Sequence, residues 1–120
     1  MGGGRWTIRV ARTQRPLALR ARMAVTCWSR ARGLLGRRAL ADGEALLLPG
    51  CRSIHTCGMR FPIDAVFVDA EWRVIAMKPH LVPWRVVPPV GGAWGVVELP
   101  AGCLEEAQVA VGDRLACASA

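Results

Sequence analysis

The sequence predicts the α+β fold class: a compact, mostly β, small barrel-like domain with six or seven short strands and two short helices. Three observations carry this expectation. Apolar residues alternate with polar ones or gather in short runs, which is strand patterning. Turn residues such as Pro49-Gly50 and Gly112-Asp113 punctuate these runs at short intervals. Helical spacing is confined to two stretches. A barrel is preferred to a sandwich because closure removes exposed edges.

Residues 6–11 alternate, with Trp6, Ile8 and Val10 on one side and Thr7 and Arg9 on the other, as in a half-buried strand. Residues 26–36 are the first predicted helix. Trp28, Ala31 and Leu35 form its apolar stripe beside Leu34, while Arg30 and Arg37 point away. Thr26 or Ser29 would cap its start and Gly36 its end. Residues 45–48 are a short apolar run. Residues 63–69 are apolar on both faces, which predicts a buried strand. Asp69-Ala70-Glu71 makes a turn, and residues 72–78 return as the second strand of a hairpin. Four prolines confine residues 79–89 to a sheet edge or a loop. Residues 93–99 form another strand. Residues 102–108 form the second short helix, with Glu105 and Glu106 outward, and residues 114–118 the last strand.

A chain of 120 residues is expected to be a single domain over residues 1–120, with the glycine-rich residues 1–4 a disordered end. Sixteen basic side chains oppose nine acidic ones, a net charge of +7. The excess lies in residues 1–38, which hold ten arginines and no acid. Only Lys78 is a lysine, and Tyr and Asn are absent, a composition that GC-rich coding favours. No apolar run approaches the roughly 20 residues of a membrane helix, and the start lacks the apolar stretch of a signal peptide. Five cysteines, odd in number and without a CxxC, read as free thiols of a reducing compartment. A cytoplasmic monomer without membrane association is the expectation.

Chemistry concentrates in residues 51–64, CRSIHTCGMRFPID. Gly58 permits a left-handed bend and Pro62 keeps Phe61 extended. If residues 52–57 are extended, Cys51, Ser53, His55 and Cys57 share one face. Asp64 shares a face with Val66 and Val68. A carboxylate leading an apolar strand needs donors. His55, Arg60 and the backbone N–H groups of residues 56–60 are the expected ones.

Taken together, these residues make the chain resemble the bacterial and archaeal family called domain of unknown function 192. The resemblance rests on Arg32-Gly33-Leu34-Leu35, on Ile54-His55-Thr56, and on residues 58–64 with Phe67 and Asp69 following. It continues through residues 96–102 and Val111-Gly112-Asp113-Arg114. It implies a compact domain with much β structure and no established activity. Family members often carry an apolar or aromatic residue where Cys57 stands, and glycine where Trp72 stands.

The residues read as a non-catalytic binding or accessory module. Its candidate pocket comprises His55, Thr56, Met59, Arg60, Asp64 and Glu98, and its partner is a small molecule or a protein. No metal and no cofactor is expected: Cys51, His55 and Cys57 offer three zinc ligands without an evident fourth. One alternative is a small enzyme, such as a hydrolase, using His55 with Asp64 or Glu98 as acid and base. Another is a nucleic-acid accessory protein using the N-terminal arginines. Each residue also has a plainer reading: a hydrogen-bonded structural histidine, an ion pair that fixes a loop, a core methionine, a paired buried carboxylate.

Overall fold

The computed structural model describes residues 6–23 and 40–119, and among these residues are nine strands and one short helix. In chain order they are β1 (Trp6–Val10), β2 (Pro16–Met23), β3 (Glu44–Pro49), β4 (Ile54–His55), β5 (Ile63–Val68), β6 (Val74–Leu81), β7 (Val86–Val87), β8 (Gly95–Pro100), α1 (Cys103–Glu106) and β9 (Leu115–Ser119). Seven strands join in the order β6-β5-β8-β3-β2-β1-β9, and β4 pairs with β7 as a separate ribbon. Only β2 and β3 run parallel; the other pairs are antiparallel.

The large sheet curls into a half-barrel whose two edges meet at one end. Val74 N–H donates to the Asp113 carbonyl (2.7 Å), Gly112 N–H to the Val74 carbonyl (2.8 Å) and Leu115 N–H to the Trp72 carbonyl (2.9 Å). An isolated bridge between Arg73 and Arg114 completes this seam. The rest of β6 is left as an edge, which is why it tolerates Pro79.

Two apolar cores lie on the two faces of the sheet. Ile8, Val10, Ala21, Leu47, Val66, Val68, Val97, Leu99 and Leu115 fill the concave side. Leu46, Leu48, Ile63, Ala65, Phe67 and Val96 form the other, beneath Cys51, Ile54, Met59, Phe61 and Val87. Strand β5 is therefore buried on both faces, Asp64 included, as its mostly apolar sequence predicts. Each large side chain buried here contributes about 1.5–3 kcal/mol. Gly95 lets β8 approach β3: a Cβ there would stand 3.0 Å from the Leu48 carbonyl oxygen.

Several expectations need correction. The described residues are mostly β, with one short helix, α1. The predicted helix over residues 26–36 lies outside the described residues. Strand β2 was not predicted. Its burial does not alternate, because Leu17 and Ala18 are both buried where the β1–β2 register shifts. The hairpin's second strand starts at Val74 rather than at residue 72, and Trp72 belongs to the turn. That turn needs no glycine. Trp72 adopts φ 64°, and Asp69 Oδ1 accepts the N–H groups of Glu71 and Arg73, both at 2.9 Å. The Trp72 ring lies against Trp94, with centroids 5.8 Å apart.

Candidate functional site

The segment 51–62 caps the second core and holds the ribbon against it. Thr56 is its centre and is completely buried (0% exposed). Its hydroxyl donates to the Val82 carbonyl (2.7 Å) and accepts from Arg85 N–H (2.9 Å). Its N–H donates to the Arg85 carbonyl (2.8 Å), and its carbonyl accepts from Trp84 N–H and Met59 N–H, both at 3.1 Å. Gly58, at φ 82°, turns the chain after this clamp. Met59, Phe61 and Ile63 then alternate into the core while Arg60 stays outside.

The clamp forces residues 82–85 outward. Trp84 has φ 67°, a conformation that non-glycine residues adopt at a cost. It is 68% exposed, and its neighbour Val86 is 70% exposed. Val86 faces His55 across the ribbon. His55 is exposed, and its Nδ1 accepts Cys57 N–H at 3.2 Å. Arg52, Arg60 and Arg85 are exposed as well.

The six candidate residues do not converge. Thr56 and Met59 are buried supports, and His55 and Arg60 are surface groups. Asp64 is 1% exposed. It accepts N–H groups from His80 (2.7 Å), Gly102 (3.1 Å) and Leu104 (2.9 Å). The expected donors His55, Arg60 and the loop of residues 56–60 are not among these, because β5 turns Asp64 toward the concave side, where β6 ends and α1 begins. Glu98, 0% exposed, stands opposite Leu46 and Ala65 and so faces the second core. No buried side-chain nitrogen or oxygen lacks a partner among the described residues. Cys51 is buried in the second core while His55 is exposed, so the face expected to join them divides. No group of three His, Cys, Asp or Glu side chains spaced for a metal occurs among the described residues.

Elsewhere, a cleft of about 400 Å³ is lined by Arg15, Leu17, Asp42, Cys103 and Glu106 among others, and contains none of the six. Burial, reinforced by Asp64, Glu106 and Asp42, pushes the Cys103 thiol up to about 11. It is therefore protonated at neutral pH and a poor nucleophile. Asp113 accepts Arg12 Nε at 2.8 Å and a second guanidinium nitrogen at 3.1 Å, and binds Ala110 N–H (2.8 Å). Arg12 holds the Asp113 carboxyl below its ordinary range.

Trp84, Arg85 and Val86 were absent from the sequence-based candidates. The signal that could have found them is the lack of any acid in residues 50–63 and 77–95, although the chain holds nine.

Fold and site define a small β half-barrel with an exposed aromatic and basic ribbon on one face. The family model DUF192, described as an uncharacterized group, matches residues 8–117, and the chain belongs to that family. A UPF0127 protein of Thermococcus sibiricus is 31% identical over 80% of this chain and 64% of its own length. One from Pyrococcus furiosus is 40% identical over 52% of this chain and 53% of its own length. The matched region thus spans less than two thirds of either relative. Among solved structures, a protein of unknown function from Novosphingobium aromaticivorans superposes with TM-score 0.78 at 24% identity, covering 93% of this chain and 83% of its own. A Sinorhizobium meliloti protein described as a "putative transcription regulator" does so with TM-score 0.78 at 25% identity, covering 95% and 92%. No helix of the described residues is long and apolar enough to cross a membrane.

Proposed function

We propose that this chain is a non-catalytic binding module whose contact surface is the β4–β7 ribbon. His55, Arg60 and Trp84 touch the ligand, and Thr56 and Met59 hold them in place. The observation that carries the reading is Trp84: a large aromatic side chain, 68% exposed, on a backbone at φ 67°. Such a residue contributes little burial and costs conformational energy, and strain of this kind clusters at functional sites. An acid–base pair is disfavoured, since Asp64 is engaged by three amides on the opposite side of the sheet from Glu98.

The test is Trp84→Gly followed by urea unfolding. A left-handed backbone costs a non-glycine residue about 1–2 kcal/mol, which glycine does not incur. The expected midpoint is unchanged or higher. A loss of stability above about 1 kcal/mol, the scale of ordinary packing substitutions, would make Trp84 a packing residue and remove the reading.

A further inference from the structure

The ribbon combines cations and an aromatic face with no anion. Residues 50–63 and 77–95, which build and flank it, contain Arg52, Arg60, Lys78 and Arg85 with His55 and His80, and no Asp or Glu. All six of these side chains are exposed. Among the described residues, the guanidinium groups of Arg52, Arg60 and Arg85 make no hydrogen bond or ion pair. Arg9, Arg12, Arg20, Arg73 and Arg114, by contrast, each bind a carbonyl or a carboxylate. Of the described N-terminal arginines, Arg9, Arg12 and Arg20 are thus committed within the fold and Arg15 and Arg22 are not, while Arg52, Arg60 and Arg85 lie on or beside the ribbon next to Trp84. Backbone pairings bring them together. The Arg52 carbonyl accepts Val90 N–H (2.9 Å) just beyond the Ile54–Val87 pair, and at the other end of the ribbon Thr56 binds both Trp84 and Arg85.

Two features select the occupant. Pro83, Pro88 and Pro89 lack N–H groups and flank the two residues of β7, so an added peptide strand would find almost no ladder. Recognition must come from side chains. Guanidinium forks suit phosphate oxygens, and an indole face stacks on any unpaired base. A duplex keeps its base faces stacked inside and offers Trp84 nothing to lie on. We propose that the ribbon binds a short stretch of single-stranded nucleic acid, with phosphates on Arg52, Arg60 and Arg85 and a base stacked on Trp84. This rests on the ribbon being the contact surface.

The experiment titrates full-length protein into fluorescein-labelled oligo(U), oligo(dT), a hairpin duplex and polyglutamate at several salt concentrations. Either single strand should bind, with log K falling against log salt at a slope of about −2, since three phosphates are neutralised. Trp84→Ala should weaken binding roughly tenfold, while Trp84→Phe retains most of it. The triple variant Arg9→Gln, Arg15→Gln, Arg22→Gln should bind as the wild type does. Circular dichroism of each variant separates lost contacts from lost folding. Equal binding of the duplex, an unaffected Trp84→Ala variant, loss in the triple variant, or no binding by any probe overturns the proposal. Trp84-dependent binding of polyglutamate alone overturns it too, yet leaves the ribbon as the contact surface with an acidic protein as its occupant.

Discussion

Asp64 and Glu98 lie on adjacent strands and point to opposite faces of the same sheet. In the β5–β8 register Leu99 stands opposite Asp64, and Ala65 stands opposite Glu98. Paired residues share a face, and successive residues alternate. The two buried carboxylates thus belong to different cores and cannot act on one bond. Asp64 works instead as a fastener, drawing the end of β6 and the start of α1 together through His80, Gly102 and Leu104.

Asp64→Asn removes the charge and puts an amide donor where N–H groups now donate. A charge-assisted hydrogen bond contributes about 1.5–3 kcal/mol, and a buried group left unpaired costs more. The urea midpoint should fall by the equivalent of about 2 kcal/mol or more. Asp69→Asn should leave it nearly unchanged, because the asparagine keeps the accepting oxygen of that turn. Matching small effects at both positions would contradict the fastening role.

Thr56→Val preserves shape and abolishes the hydroxyl. Val82 and Arg85 would each lose a buried partner, at about 1–3 kcal/mol apiece. Stability should drop, and the loop of residues 82–85 should exchange its amide hydrogens faster than β5 does. Unaltered exchange at Arg85 would show that the hydroxyl is not what holds the loop.

The Arg12–Asp113 pair should set part of the acid limb of stability. Asp113 has its folded pKa lowered, chiefly by the hydrogen bond from Arg12 and further by the Ala110 amide. Its contribution is therefore complete above the unfolded value of about 3.9 and disappears as pH falls through the lower folded value. In Arg12→Gln the urea midpoint should change less between pH 7 and pH 3 than in the wild type. Parallel pH profiles for the two proteins would count against the pair.

At Trp72 backbone and side chain oppose one another. The side chain packs on the first core and on Trp94, while φ 64° suits glycine. Trp72→Gly and Trp72→Ala lose the same ring, but only glycine relieves the backbone. The glycine variant should be the more stable of the two by about 1 kcal/mol. The reverse order would place the cost of this turn elsewhere.

Apolar–polar alternation made β1 legible in advance, whereas β5 was legible as a short apolar run between turn signals, which reads as a strand buried on both faces. Strand β2 was hidden because a register shift places Leu17 and Ala18 inside together. The ribbon was hidden because strands of two residues have no period to read. In the site, the importance of Asp64 followed from its setting among valines. Its partners did not, since the amides of Gly102 and Leu104 lie far away in sequence and carry no side-chain signature. Thr56 looked like a ligand contact because a threonine clamp and a threonine in a pocket have the same composition.

Trp6 pairs with Ser119 and Val10 with Leu115, so β1, the first strand of the described residues in order of synthesis, lies beside β9, the last of them. β1 can bond to β2 early, but its other edge stays open until β9 has emerged. Throughout synthesis that open edge can meet neighbouring nascent chains, and the exposed Arg9 on it is a charge that discourages such meetings. The same adjacency makes the described fold a candidate for circular permutation: a short linker between residues 119 and 6, with new ends opened at the exposed Gly91-Gly92 turn, should preserve the half-barrel.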